Sequence, residues 1–199
     1  MNIEKPDYLD YLNTLSDVSG IKVNSFASLI DALKNRMQFF DSMGCSVSDH
    51  ALEYVMYKPY TDAEIEAIFA KRFSGAAITT EEMNKFKTAF MVSVGKEYNK
   101  LNWVMQLHYG TIRDNNVFRY NQLGPDTGFD CINTYDCSAE MAQFLNALNS
   151  TDELPKTIIY SLNPSVNAAI GTVIGCFQDS KAVGKICLLY TSDAADEGL

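Results

Sequence analysis

Trp103-Val-Met-Gln-Leu-His108 is an apolar run that ends in polar groups, and the stretch after it, Tyr109-Gly-Thr-Ile-Arg-Asp-Asn-Asn116, is rich in turn formers and hydrogen-bonding side chains. Together they read as a buried strand running out into an exposed loop at its carboxyl end. The same layout recurs on either side. Upstream, Gly44-Cys-Ser-Val-Ser-Asp-His50 is short, small or β-favouring, and closes on polar groups. Downstream, Thr157-Ile-Ile-Tyr-Ser-Leu162 is β-branched and aromatic, and Asn163-Pro164 ends it. Three strands are therefore predicted.

The segments between them have helical spacing. After Pro6, Tyr8, Leu9, Leu12 and Leu15 recur at three- and four-residue steps before Gly20, and Leu29, Ile30, Leu33, Met37 and Phe40 do so between Ser25 and Gly44. Thr61-x-x-Glu64 and Thr79-x-x-Glu82 have capping-box form ahead of apolar stripes that include Ile65, Ile68 and Phe69, then Phe86, Phe90 and Val94. Ser138 opens a helix with Met141, Phe144, Leu145 and Leu148 on one face, and Val166, Ala169, Ile170, Val173 and Ile174 form another. Strands alternating with helices predict an α/β fold with parallel strands joined by crossovers. The strand starts lie roughly 55 residues apart, against about 30 per unit in a minimal barrel of about 250 residues. At that spacing a closed eight-stranded barrel exceeds the chain's length, so the chain is expected to be a fragment holding three of its strands.

The 199 residues are 47% apolar and 21% charged, which excludes disordered and collagen-like classes. The net charge of −9 disfavours nucleic acid and anionic membranes as partners. No run is long enough for a membrane span, and the acidic first twenty residues are unlike a signal peptide, so the expected location is cytoplasmic. Five cysteines, Cys45, Cys131, Cys137, Cys176 and Cys187, form no C-x-x-C pair and are expected to be reduced thiols. Cys187-Leu-Leu-Tyr-Thr-Ser-Asp-Ala-Ala-Asp-Glu197 continues no period and resembles the read-through translation of a transposon adapter used in sequencing libraries. Residues 187–199 are thus expected to be a non-native tail, with 1–186 as the incomplete barrel domain. Gly184-Lys-Ile186 reads as the start of another strand.

Both histidines of the chain, His50 and His108, stand at the ends of predicted strands, where a barrel would turn both imidazoles into one mouth. Two histidines do not complete a catalytic metal site, and neither H-x-H nor H-E-x-x-H occurs. Arg113, five residues beyond His108, has the fork geometry to hold a substrate carboxylate. Asp49 is a candidate for proton transfer or loop ordering. Asp126, within Gly124-Pro-Asp-Thr-Gly128, reads as a turn former, and Cys45 as packing.

Five blocks, Gly44 to His50, Trp103 to Asn116, Leu123-Gly-Pro-Asp-Thr-Gly-Phe-Asp130, Leu154-Pro-Lys-Thr-Ile-Ile-Tyr-Ser-Leu-Asn-Pro164 and Ile174-Gly-Cys-Phe-Gln-Asp179, resemble in order the uronate isomerase family of the amidohydrolase superfamily. Tyr109 and Asp114 depart from it, standing where an aliphatic residue and an asparagine are expected. The resemblance implies a distorted (β/α)8 barrel, represented by about strands five to seven with their helices, that interconverts D-glucuronate with D-fructuronate and D-galacturonate with D-tagaturonate. It implies a divalent metal, zinc being one candidate, not fully ligated by this chain, and a homo-oligomer of the full-length parent. It assigns His50 to the metal, His108 to catalysis and Arg113 to the substrate carboxylate. The family's remaining site motifs have no counterpart here, so the polypeptide made as written is expected to be inactive. The competing readings are a metal-dependent hydrolase of the same superfamily and a non-catalytic barrel that binds acidic sugars.

Overall fold

The computed structural model describes residues 1–180 and 182–189. Helix α1 (Tyr8–Ser19) ends where Gly20 enters the left-handed region at φ 70°, and α2 (Phe26–Ser42) starts on a capping box made by Ser25 and Ser28. The first three amides of α2 are fully provided for: Phe26 and Ala27 donate to the carboxylate of Glu66, at 2.9 Å each, and Ser28 donates to Ser25 Oγ. Helices α3 (Asp62–Phe73) and α4 (Thr80–Lys100) carry the Thr61/Glu64 and Thr79/Glu82 boxes that their sequences predict. Helices α6 (Ser138–Asn149) and α7 (Asn167–Gly175) complete a layer in which α2, α3, α4, α6 and α7 pack in succession.

Against this layer lies a sheet of four parallel strands in the order β1 (Val47–Ala51), β2 (Val104–Tyr109), β5 (Thr157–Ser161), β6 (Ile186–Leu189). The class is α/β, as expected. The three predicted strands are present within a few residues, and the start seen at Gly184 becomes a fourth, β6, which runs on to Leu189. Strand β1 begins later than read, so Cys45 precedes it, half-buried, with Sγ 3.3 Å from the Val47 carbonyl. Residues 190–199 of the expected tail lie outside the described residues.

Alternation along the strands divides their side chains between two environments. Met105, Leu107, Thr157, Ile159 and Ile186 are almost wholly buried, together with Phe144, Leu145 and Leu148 of α6. Each fully buried apolar side chain of this kind contributes about 1.5–3 kcal/mol. On the other face, Val47, Asp49, Ala51, Cys187 and Leu189 are exposed, and Gln106, His108, Ile158 and Tyr160 are only half-buried. Among the described residues, one face of the sheet is covered by helices and the other is open.

The segment after β2, predicted as loop throughout, is more ordered than that. A two-stranded antiparallel ribbon, β3 (Thr111–Ile112) with β4 (Cys131–Ile132), closes its base, and a short helix, α5 (Val117–Leu123), sits above it. These elements escaped the sequence because they bury no stripe: Val117, Phe118, Tyr120 and Leu123 are all exposed. Gly124 to Gly128 is the turn its residues suggest, with Asp126 at φ 59°. Tyr109, in place of an aliphatic residue, is buried on the helix-covered face, and Asp114 holds the left-handed conformation, φ 55°, that asparagine also tolerates.

Candidate active site

Because the four strands are parallel, their carboxyl ends and the loops that follow share one edge. Backbone hydrogen bonds stitch these loops together. Leu52 donates to the His108 carbonyl at 2.7 Å, Gly110 to the Glu53 carbonyl at 3.2 Å, and Leu162 to the Tyr109 carbonyl at 3.2 Å. Asn133, buried, donates its backbone amide to the Gly110 carbonyl at 2.7 Å and accepts at its own carbonyl from Asn163 Nδ2 at 3.3 Å. Gly110 makes the approach possible: its φ is 92°, and a Cβ there would meet the Leu162 nitrogen at 3.4 Å.

On the open face beside this edge, His108 Nδ1 lies 2.8 Å from Asp49 Oδ1. A carboxylate only accepts, so Nδ1 carries the hydrogen and Nε2 is left as the ring's second functional nitrogen. The Tyr160 ring meets the imidazole with centroids 3.9 Å apart at 60°. Gln106 Nε2 donates to the Tyr160 hydroxyl at 3.1 Å. Asp49, Gln106, His108 and Tyr160 thus form one polar group contributed by β1, β2 and β5.

His50 is not part of it. The expectation that both imidazoles enter one mouth fails, because the register pairs His50 with Leu107 while Ala51 pairs with His108. Strand neighbours at the same level share a face, so the one-residue offset sends His50 to the helix-covered side. There its Nε2 lies 3.1 Å from the Tyr98 hydroxyl of α4. Burial pushes the imidazole down to about 4, opposed by nearby Asp49, and pushes the Tyr98 phenol up to about 12. His50 is a neutral imidazole inside the protein. The position that sequence reasoning underrated is its neighbour Asp49; the period-two alternation of β1 was the signal that separates the two.

Arg113 follows β3 and is half-exposed. Its Nη1 lies 2.8 Å from Asp130 Oδ2 and 3.3 Å from Asp126 Oδ1, and the second Asp130 oxygen accepts from the Asp114 amide at 2.9 Å. The guanidinium therefore already holds carboxylates in its own loop. Asp126 adds a charge contact to its turn-forming place.

These residues do not by themselves fit a metal ion. Among the described residues no three His, Cys, Asp or Glu side chains cluster as ligands would, and His50 is turned away from the only other imidazole. No helix among the described residues is long and apolar enough to cross a membrane.

The chain is similar along nearly its whole length to known proteins. It is 93% identical over 186 residues to the uronate isomerase of Lachnospira eligens and 75% identical over 186 residues to that of Lachnoclostridium phytofermentans, in each case across 94% of this chain. The crystal structure of uronate isomerase from Thermotoga maritima superposes with a TM-score of 0.84 at 28% identity, covering 94% of this chain and 40% of that one. The fold of glucuronate isomerase from Caulobacter crescentus superposes with a TM-score of 0.80. The chain spans about 40% of the length of the curated relatives it matches. With the glucuronate isomerase family model matching residues 1–190, the chain belongs to the glucuronate isomerase family.

Proposed function

We propose that this chain is part of a uronate isomerase that interconverts D-glucuronate with D-fructuronate, and D-galacturonate with D-tagaturonate, and that its open sheet face belongs to the interior of a (β/α)8 barrel. The observation that carries this is the Asp49–His108 pair, 2.8 Å apart, on the open face at the carboxyl edge of a parallel sheet. Such an edge is where barrel enzymes place their chemistry.

The reaction moves a proton between C2 and C1 through an enediol, so it needs an acid–base group beside both carbons and a cation for the carboxylate. His108 supplies the first. Asp49 holds the tautomer with hydrogen on Nδ1, leaving Nε2 to take the proton from C2 and return it to C1, while the hydroxyl proton leaves O2 and an equivalent proton is gained at O1. Arg113 supplies the second by exchanging its hold on Asp126 for the substrate carboxylate. His50, neutral and bonded to Tyr98, supports β1 from behind. The divalent metal implied by the resemblance would supply an electrophile for the carbonyl oxygen and would be held largely by residues outside this chain. The polypeptide made as written is accordingly inactive. Residues 1–186 are the enzyme's own and residues 187–199 a foreign tail, the first three residues of which extend β6.

The test is the full-length protein that carries this segment, supplied with divalent metal and D-glucuronate. The ketose product is expected. Saturable binding of the sugar with no ketose formed overturns the reading.

A further inference from the structure

The ribbon that carries Arg113 has little of its own to hold it down. Its strands are two residues each, Ile112, Cys131 and Ile132 are exposed, and α5 buries no side chain. The anchorage lies at the base, where three polar side chains, Thr111, Asn133 and Asn163, are each more than nine-tenths buried. A buried amide is stable only where its hydrogen bonds are made. Asn163 makes them at both ends. Its Nδ2 donates to the Asn133 carbonyl at 3.3 Å, while its Oδ1 accepts from the Ser165 amide at 3.0 Å and hydroxyl at 2.6 Å, opening a 3-10 helical turn over Pro164–Val166. Asn133 in turn donates from Nδ2 to the Glu53 carbonyl at 3.4 Å and accepts the Tyr135 amide at Oδ1 at 2.9 Å. The returning strand is thereby pinned, immediately after Ile132, to the loops that follow β1 and β5. Thr111, paired with Ile132, is held with it, and Arg113 stands two residues further on.

We infer that Asn163, acting through Asn133, is a positioning residue that latches the ribbon base to the β5 loop and so fixes the place from which Arg113 reaches a uronate carboxylate. This rests on the isomerase reading above, in which Arg113 holds that carboxylate, and adds to it a residue that acts on binding from a distance. Loss of the latch leaves the guanidinium charge in place and removes only its placement. A contact made equally to substrate and transition state shows in KM and not in kcat, so the effect belongs to KM.

The experiment uses the full-length enzyme and steady-state kinetics with D-glucuronate. Asn163→Ser is the informative variant, because a serine hydroxyl still caps the turn at Ser165 but is too short to reach the Asn133 carbonyl. It is expected to raise KM about 5- to 20-fold with kcat within about threefold of wild type. Ser165→Ala, which spares the latch, is expected to keep KM within about twofold. Because the latch works only through Arg113, Asn163→Ser combined with Arg113→Ala should raise KM no more than about twofold beyond Arg113→Ala alone. Should Asn163→Ser not fold, Asn133→Ala cuts the ribbon from the Glu53 carbonyl and the Tyr135 amide, and the same pattern of KM, kcat and non-additivity is expected. An unmoved KM, a fall in kcat with KM unchanged, or fully multiplicative losses with Arg113→Ala would overturn the inference while leaving the isomerase reading intact. A wild-type protein that binds uronate but makes no ketose, or an Arg113→Ala variant with wild-type KM, would overturn the reading of the site and the latch with it.

Discussion

His108 and Asp49 come from adjacent parallel strands and sit two ladder positions apart, yet their side chains meet, Nδ1 to Oδ1 at 2.8 Å. Asp49→Asn removes the charge and lets the amide present either hydrogen or lone pair to Nδ1, so the useful tautomer is no longer enforced. In the full-length enzyme kcat is expected to fall by about 100-fold or more, with thermal stability within about 1 kcal/mol of wild type because the pair is half-exposed. Parallel kinetics and thermal melts check both halves.

His50 makes a different prediction. Its folded value of about 4 lies below the ordinary histidine value of 6.5, so between those limits the unfolded chain binds more protons than the folded one. Stability is therefore lost as pH falls from about 6.5 to 4, by at most about 3 kcal/mol from this residue. A His50→Gln full-length variant is expected to show a flatter acid limb in a plot of Tm against pH. An acid limb as steep as that of wild type would refute it.

Arg113 and its carboxylates can be separated by kinetics. Asp126→Ala removes an exposed partner 3.3 Å away and is expected to leave stability within about 1 kcal/mol and to lower KM slightly, since a competitor for the guanidinium is gone. Arg113→Ala should raise KM for uronate about 10- to 100-fold, the worth of a charge-assisted bidentate contact. A KM unmoved by Arg113→Ala would leave the arginine as a loop brace only.

The chain by itself should be a poor monomer. Its sheet presents two outer strands, β1 and β6, and an open face that includes exposed Val47 and Leu189. Such edges and apolar surface recruit other chains. Size-exclusion chromatography of the 199-residue chain is expected to give aggregates. A monodisperse monomer with a sharp, cooperative melt would contradict this.

What could be read without coordinates follows what each signal physically encodes. The Thr61/Glu64 and Thr79/Glu82 boxes and the stripe from Met141 to Leu148 are local devices with a buried face, and they gave their helices nearly to the residue. Strand ends were legible because polar groups follow apolar runs. The direction of His50 was not, since a single imidazole in a five-residue strand carries no information about register until β2 is beside it. Helix α5 and the β3–β4 ribbon were invisible for the opposite reason, having no buried pattern to betray them. The Tyr160–Gln106 tether joins residues 54 positions apart and needed the folded ladder to exist.

The ribbon beyond Gly110 has one more implication. Thr111 pairs with Ile132, Ile112 with Cys131, the Asp114 amide with Asp130 and the Asn115 amide with the Phe129 carbonyl. Those rungs zip the stem shut well before its tip. Residues 116–128 are therefore a self-closed cap whose ends are already brought together, so they can be shortened or swapped for another hairpin tip at little entropic expense. A graft of that kind would reshape the approach to His108 while leaving the platform beneath it unaltered.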